Sequence, residues 1–277
     1  STQLLGAEHL TTLTAMIFRF RVQDGAGDLV GSFATLQSAY DTALRFAKPE
    51  WLNTQFVTLS YAGALVDRNR ADEAGPILRR FLDQNAQGLH GARASENRTL
   101  AETLLAKGAS PAVGPDAVIA SLQAVVERAR QAPGSNPYAL TYAETTLGDL
   151  LVEASRLDEA KAAYESALAH AATVPGQAEE LGSSVRSRIA FVSTLAQPND
   201  AWIEALRRSG AELRARVGEH SPEGLASTVR EAVAMLRAGY RQDACATAMP
   251  VALRLREGFG EGAPETRKAL RVVRACG

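Results

Sequence analysis

The sequence predicts an all-α solenoid: six helical hairpins from about residue 5 to 258, closed by a capping helix at about 264 to 275. Three observations predict it. An acidic-alanine dipeptide returns at Glu73-Ala74, Asp116-Ala117, Glu159-Ala160, Asp200-Ala201 and Asp243-Ala244, in steps of 43, 43, 41 and 43 residues. A second phrase, a glycine before a new helix, keeps the same phase: Gly6 to Gly218 spans 212 residues, five steps of about 42, and Gly218 to Gly260 spans one. Between these marks, apolar and small residues recur at helical spacing. A fixed period in this range means one supersecondary unit stacked on copies of itself, so the 277 residues form a single repeat array.

Each element follows in order. The first unit opens with Leu5-Gly6-Ala7-Glu8-His9, turns at Asp24-Gly25-Ala26-Gly27-Asp28, which reads as a lengthened, flexible loop, and returns with the face Leu36, Tyr40, Ala43 and Leu44. The second repeats that face as Ala74, Leu78, Phe81 and Leu82. The third carries His90 near its start and Asp116-Ala117 at its second helix. The fourth starts at Pro133-Gly134-Ser135-Asn136-Pro137, continues through Tyr142 to Val152, and returns with Leu157 to Leu168. The fifth has Ala205 where an aromatic is expected, and the sixth opens at Val217-Gly218-Glu219-His220-Ser221-Pro222. The capping helix follows Phe259-Gly260-Glu261-Gly262-Ala263-Pro264. Glycine suits the turn out of a helix and proline the first turn of the next. The acid of each dipeptide belongs in a first turn, where the helix dipole favours negative charge, and its alanine lets a neighbouring helix approach.

Leu147, Gly148, Leu151, Ala160, Tyr164 and Ala167 stand at the spacing of a tetratricopeptide repeat, and the chain resembles that family along essentially its whole length. The period near 42, the Leu-Gly-x-x-His lead-in and Thr12-Leu13-Thr14-Ala15-Met16 resemble the long, kinesin-light-chain type of repeat. The resemblance implies a right-handed superhelix whose first helices line an inner groove. It places Phe56, Leu59, Gly63 and Asp67 on that groove in one unit, and Tyr142, Thr145, Asp149 and Glu153 two units later. It implies a protein or peptide partner, and the mixture of aromatic and acidic side chains suits a peptide with some basic character. Repeats of this type are similar to those in C-terminal regions of bacterial receptor-type Ser/Thr kinases.

Composition limits the alternatives. At 46% hydrophobic the chain buries a large core, and a formal charge of −1 with a pI near 6.4 argues against nucleic acid as a partner. No run of apolar residues is long enough to insert in a membrane. Arginine supplies 26 of 30 basic residues; Arg79-Arg80, Arg207-Arg208, Arg254 and Arg256 fall on second helices, the outer wall. No serine or threonine has a histidine and an acid placed to activate it, and the four histidines are spread over different units. His9 and His220 hold equivalent places five units apart, which predicts that they stay separate. Gly25 to Gly31 misses the spacing of a dinucleotide fingerprint and follows no strand. Hence no catalytic residue, metal site or cofactor is expected.

Cys245 and Cys276 are the two cysteines, and Gly260 and Glu261 lie midway between them. Residues equidistant from the turn of an antiparallel helix pair share a height, so a disulfide could staple the cap. Two reduced cysteines acting as small apolar residues in a helix interface fit the same spacing. A disulfide favours an oxidising compartment. That leads to an extracytoplasmic (periplasmic) sensor domain of a membrane-anchored bacterial signalling protein such as a Ser/Thr kinase, with Ser1 starting inside a repeat as in a piece of a longer protein. The alternative is a cytosolic scaffold segment that binds a partner peptide.

Overall fold

The computed structural model describes residues 10–132 and 136–277. Leu5 to His9 and Pro133 to Ser135 lie outside the described residues. Thirteen α-helices are described: α1 Leu10–Gly25, α2 Leu29–Phe46, α3 Leu52–Asp67, α4 Ala71–Ala86, α5 Ala94–Val113, α6 Pro115–Gln131, α7 Pro137–Glu153, α8 Leu157–Ala171, α9 Ala178–Ala196, α10 Asp200–Val217, α11 Pro222–Arg237, α12 Arg241–Phe259 and α13 Pro264–Arg274. They pair as six antiparallel hairpins, α1/α2 through α11/α12, with α13 packed on the last. A 3-10 turn, Gly91–Arg93, precedes α5.

The turn inside a hairpin is built alike in three units. Asn69, Ser155 and Gly239 take a left-handed backbone, with φ of 59°, 61° and 90°. Behind them the amides of Arg70, Arg156 and Tyr240 reach back to the carbonyls of Leu65, Leu151 and Met235 at 2.8 to 2.9 Å. This satisfies carbonyls that the helix end would leave unpaired. The next helix begins at once, and in two units its first-turn acid closes a two-pronged pair with the preceding arginine: Arg70 with Glu73 at 2.6 and 2.7 Å, and Arg156 with Glu159 at 2.7 and 2.6 Å.

The repeated face packs as its spacing predicts in the second, fourth and sixth units, where Ala74, Ala160 and Ala244 are buried. In the third and fifth, Ala117 and Ala201 are exposed, and Val118 and Ile203 take the inward place. The dipeptide slides along its helix there, because what must face inward is an apolar side chain one turn before Leu122 or Leu206, whatever follows the acid. Leu44 is likewise exposed, and Ala39 faces inward beside Tyr40. Tyr164, fully buried, lies flat on Gly148, where a Cβ would stand 2.3 Å from the ring.

Two features correct the sequence reading. The first hairpin's turn is not lengthened: Asp24 and Gly25 remain in α1, leaving three residues, as between α3 and α4. Nor do the first and sixth units stay apart. Helix α2 packs against α12, and Leu29 joins the core of the last hairpin and cap, with Leu225, Val229, Val251, Ala252, Leu255 and Ala269. The array curls until its ends touch, so the reason given for keeping His9 and His220 separate fails; Gly27 of the first turn packs on His220. At the C-terminus, Cys245 of α12 and Cys276, two residues past α13, form a disulfide with Cα atoms 5.9 Å apart.

Candidate functional site

Curling brings the first helices around a common interior. In its N-terminal half this interior is hollow: a cavity of about 720 Å3 opens between α1, α3, α5 and α7. It reaches the Val174–Gln177 turn, the start of α11 at Pro222 and the end of α12 at Phe259. That volume is within the range of sites that enclose a small molecule or a few residues of peptide.

The cavity wall is mostly aromatic and aliphatic, with polar groups set among the rings. Phe56 faces inward from α3 under Arg21 of α1, whose guanidinium sits 4.9 Å above its centroid. Arg68 lies 4.1 Å from the ring of Phe33 and 4.4 Å from that of Phe259, and donates to the backbone carbonyls of Ala64 at 3.2 Å and Leu29 at 3.0 Å. Burial lowers the Arg68 pKa to about 10. Burial also raises Asp24, at the end of α1, to about 6, against the lowering effect of Arg68. Gln55 and Asn97 are both buried and pair at 2.8 Å across α3 and α5.

Of the residues placed on the groove by resemblance, Phe56, Leu59, Gly63, Asp67 and Tyr142 meet on this cavity. Thr145, Asp149 and Glu153 do not line it. The Thr145 hydroxyl is buried without a hydrogen-bond partner among the described residues. Asp149 accepts from the Tyr164 hydroxyl at 2.7 Å and from Arg188 at 3.1 Å, and Glu153 meets Lys268 of α13 at 3.1 Å. Asp67, at the cavity edge, takes Lys107 at 2.6 Å. Each predicted groove acid therefore already has an internal cation, which removes the reason to expect a basic peptide.

In the other half of the interior the first helices are joined by this charge network. Arg188 bridges Asp149 and Glu223, and Arg230 meets Glu223 at 2.9 Å. Water still reaches 41% of the Asp149 side chain and 33% of Glu223, yet protein surrounds both. Burial pushes both carboxyls up, but Arg188 and Arg230 outweigh it, holding Asp149 below its ordinary value and Glu223 down to about 2. In the same way Lys107 and Lys268, which burial alone would lower, are held above the usual lysine value by their carboxylates.

Sequence reasoning missed Arg68, Lys107, Arg188 and Lys268, although a signal for most of the pairs exists. Asp67 and Lys107 are 40 residues apart, Asp149 and Arg188 39, Ser184 and Glu223 39, Gln55 and Asn97 42, Glu96 and Asn136 40. Polar residues separated by about one period face each other across adjacent units.

Two histidines, His90 and His170, are engaged within the fold. His170 meets the buried Glu144 at 2.8 Å, where Arg130 and Ser166 also converge. His90 is buried against Phe81, ring centroids 4.2 Å apart, with neither ring nitrogen partnered among the described residues. Among the described residues, no three or more His, Cys, Asp or Glu side chains gather as a metal site would need, and no helix is long and apolar enough to cross a membrane.

No protein-family model and no curated protein sequence matches the chain. Among solved structures, that of a Rap protein complexed with Competence and Sporulation Factor is similar over 99% of this chain and 83% of the other, at 13% identity and a TM-score of 0.59. A Podosopora anserina putative kinesin light chain with nearly identical TPR-like repeats is similar over 76% of this chain and 96% of the other, at 18% identity and a TM-score of 0.47. The chain has the fold of tetratricopeptide-like repeat proteins, an all-α solenoid of helical hairpins.

Proposed function

We propose that the chain is a recognition module that holds a short peptide segment of a protein partner inside its curled solenoid. The observation that carries this reading is the cavity of about 720 Å3, walled by aromatic residues of α1, α3, α7 and α12 and furnished with a few fixed polar groups. Burying apolar side chains of an extended segment supplies affinity, and Gln55, Asn97, Arg21 and Arg68 offer hydrogen bonds that set register. A protein of the same fold that is complexed with a factor supports the reading by analogy. Selection of a random peptide display library on the purified chain tests it. Selected peptides are expected to lose affinity at least tenfold, about 1.4 kcal/mol, on a Phe56→Ala/Tyr142→Ala variant of unchanged helicity. Peptides that bind the variant equally, or no selection above background, overturn the reading.

The disulfide favours a setting in which such bonds persist, outside the reducing cytosol. In that reading the chain is the extracytoplasmic sensor or interaction domain of a membrane-anchored signalling protein, such as a receptor-type Ser/Thr kinase. Alkylation of thiols in intact cells before lysis checks the compartment: Cys245 and Cys276 recovered alkylated would favour a cytosolic scaffold.

A further inference from the structure

A solenoid of hairpins is held by contacts between neighbours, and nothing in such tiling requires its ends to meet. Here they do. Leu29, at the first residue of α2, is 5% exposed because it sits among side chains of α11, α12 and α13. Three glycines make the approach possible. A Cβ on Gly258 of α12 would stand 2.5 Å from that of Leu29. One on Gly27, whose φ is +77°, would stand 2.4 Å from the His220 Cβ, and one on Gly218, with φ +95°, 2.4 Å from the Gly25 carbonyl oxygen. Arg68 completes the junction: its guanidinium lies between Phe33 of the first hairpin and Phe259 of the sixth, and donates to the Leu29 carbonyl. Among the described residues it makes no ion pair within 4.0 Å, and both carbonyls it donates to lie on its own side of the closure, so what it gives up on separation is the contact with the Phe259 ring.

The same junction is part of the cavity wall. Asp24, Ser32, Phe33 and Arg68 reach the cavity from one side of the closure, Pro222 and Phe259 from the other. Whatever fills the cavity touches both ends of the array at once. We propose that the contact between the first and last hairpins is a releasable clasp, open to admit the occupant and closed upon it, so that occupancy and closure reinforce each other. This rests on the cavity being the binding site. The physical route is small rotations shared over the successive hairpin interfaces, which part the ends without unfolding any hairpin. A segment that contacts both sides binds the closed form better, and weakening the clasp lowers its apparent affinity by the fraction of molecules left closed.

Leu29 and Gly258 belong to the clasp but not to the cavity wall, which makes them suitable probes. Fluorophores on non-canonical residues at the exposed positions Val30 of α2 and Leu253 of α12 report end-to-end distance in the full chain, and small-angle scattering reports overall size. Leu29→Asp and the milder Gly258→Val are expected to lower energy transfer and enlarge the radius of gyration while far-ultraviolet dichroism keeps its helical signal. A labelled peptide selected on the wild-type chain is expected to bind both variants about tenfold more weakly and to restore their energy transfer at saturation. Unchanged distance in both variants, or loss of helicity in both, shows the junction to be ordinary core and overturns the clasp. Opening with unchanged peptide affinity overturns the coupling. Absence of any peptide binding to the wild-type chain defeats the cavity reading, while the distance measurement still decides whether the clasp releases.

Discussion

Asp24 illustrates how a single residue departs from what its type suggests. In sequence it is one acid in a glycine-rich turn; in the structure it closes α1 beside the cavity, and burial raises its pKa from 3.8 to about 6. A raised carboxyl favours the folded state at low pH, and that contribution is lost as pH rises from about 3.8 through about 6. Asp24→Asn removes the ionised form, so at pH 7 it is expected to stabilise the chain by about 1 to 2 kcal/mol, a value reduced from the full shift for partial solvation. Urea denaturation at pH 7 and pH 4 checks this: a gain of the same size at both values would show that the effect is not the charge. His90 carries the opposite sign. Burial without a hydrogen-bond partner lowers its pKa, so stability is lost as pH falls below about 6.5. Gly148 and Tyr164 were legible in the sequence because their spacing is set by contacts within one hairpin. Asp24 and His90 were not, because each meets residues of other elements, Asp24 with Ser32 and Arg68 and His90 with Phe81.

At the scale of elements, the period and the turn chemistry specify each hairpin, while the inner helices are tied together by charge. Arg188 of α9 joins Asp149 of α7 to Glu223 of α11, three successive first helices. Arg188→Ala leaves two partly solvated carboxylates without their main cation, and a loss of about 1 to 3 kcal/mol, reduced from the buried-pair value for water access, is expected in chemical denaturation. A loss under 1 kcal/mol would mean that water solvates the carboxylates freely. Glu223, held down to about 2, contributes stability above its ordinary 4.5 that is lost as pH falls from there toward 2, so the penalty of Arg188→Ala should shrink over that window. The pairing was readable only as a residue separation near one period. A carboxylate that faces a ligand and one that faces a neighbouring arginine look the same in a sequence, which is why Asp149 and Glu153 were placed on the groove and found in the network.

For the whole molecule, the disulfide and the curl of the array act on the same end. Cys245 and Cys276 close a loop with a sequence separation of 31, a cross-link of roughly 3 to 4 kcal/mol in the chain-entropy description. Repeat arrays lose stability locally, so reduction, or a Cys245→Ser/Cys276→Ser variant, is expected to loosen α13 and then α12 before the central hairpins. Amide exchange with and without reductant measures it, and equal acceleration in α5 to α8 would contradict the expectation.

The sequence by itself determined the all-α repeat, six hairpins and an end helix, and most of the turns, because these depend on contacts that recur every 41 to 43 residues and leave a periodic trace. It also set two cysteines symmetrically about the last turn. Only the tertiary structure decided that the ends of the array meet, that a cavity of about 720 Å3 stands on one side of the interior, and that ion pairs join the helices on the other. The reason is cumulative: the rotation from one hairpin to the next is fixed by fine details of side-chain packing that change no pattern, and five small rotations together place Leu29 in the core of the last hairpin.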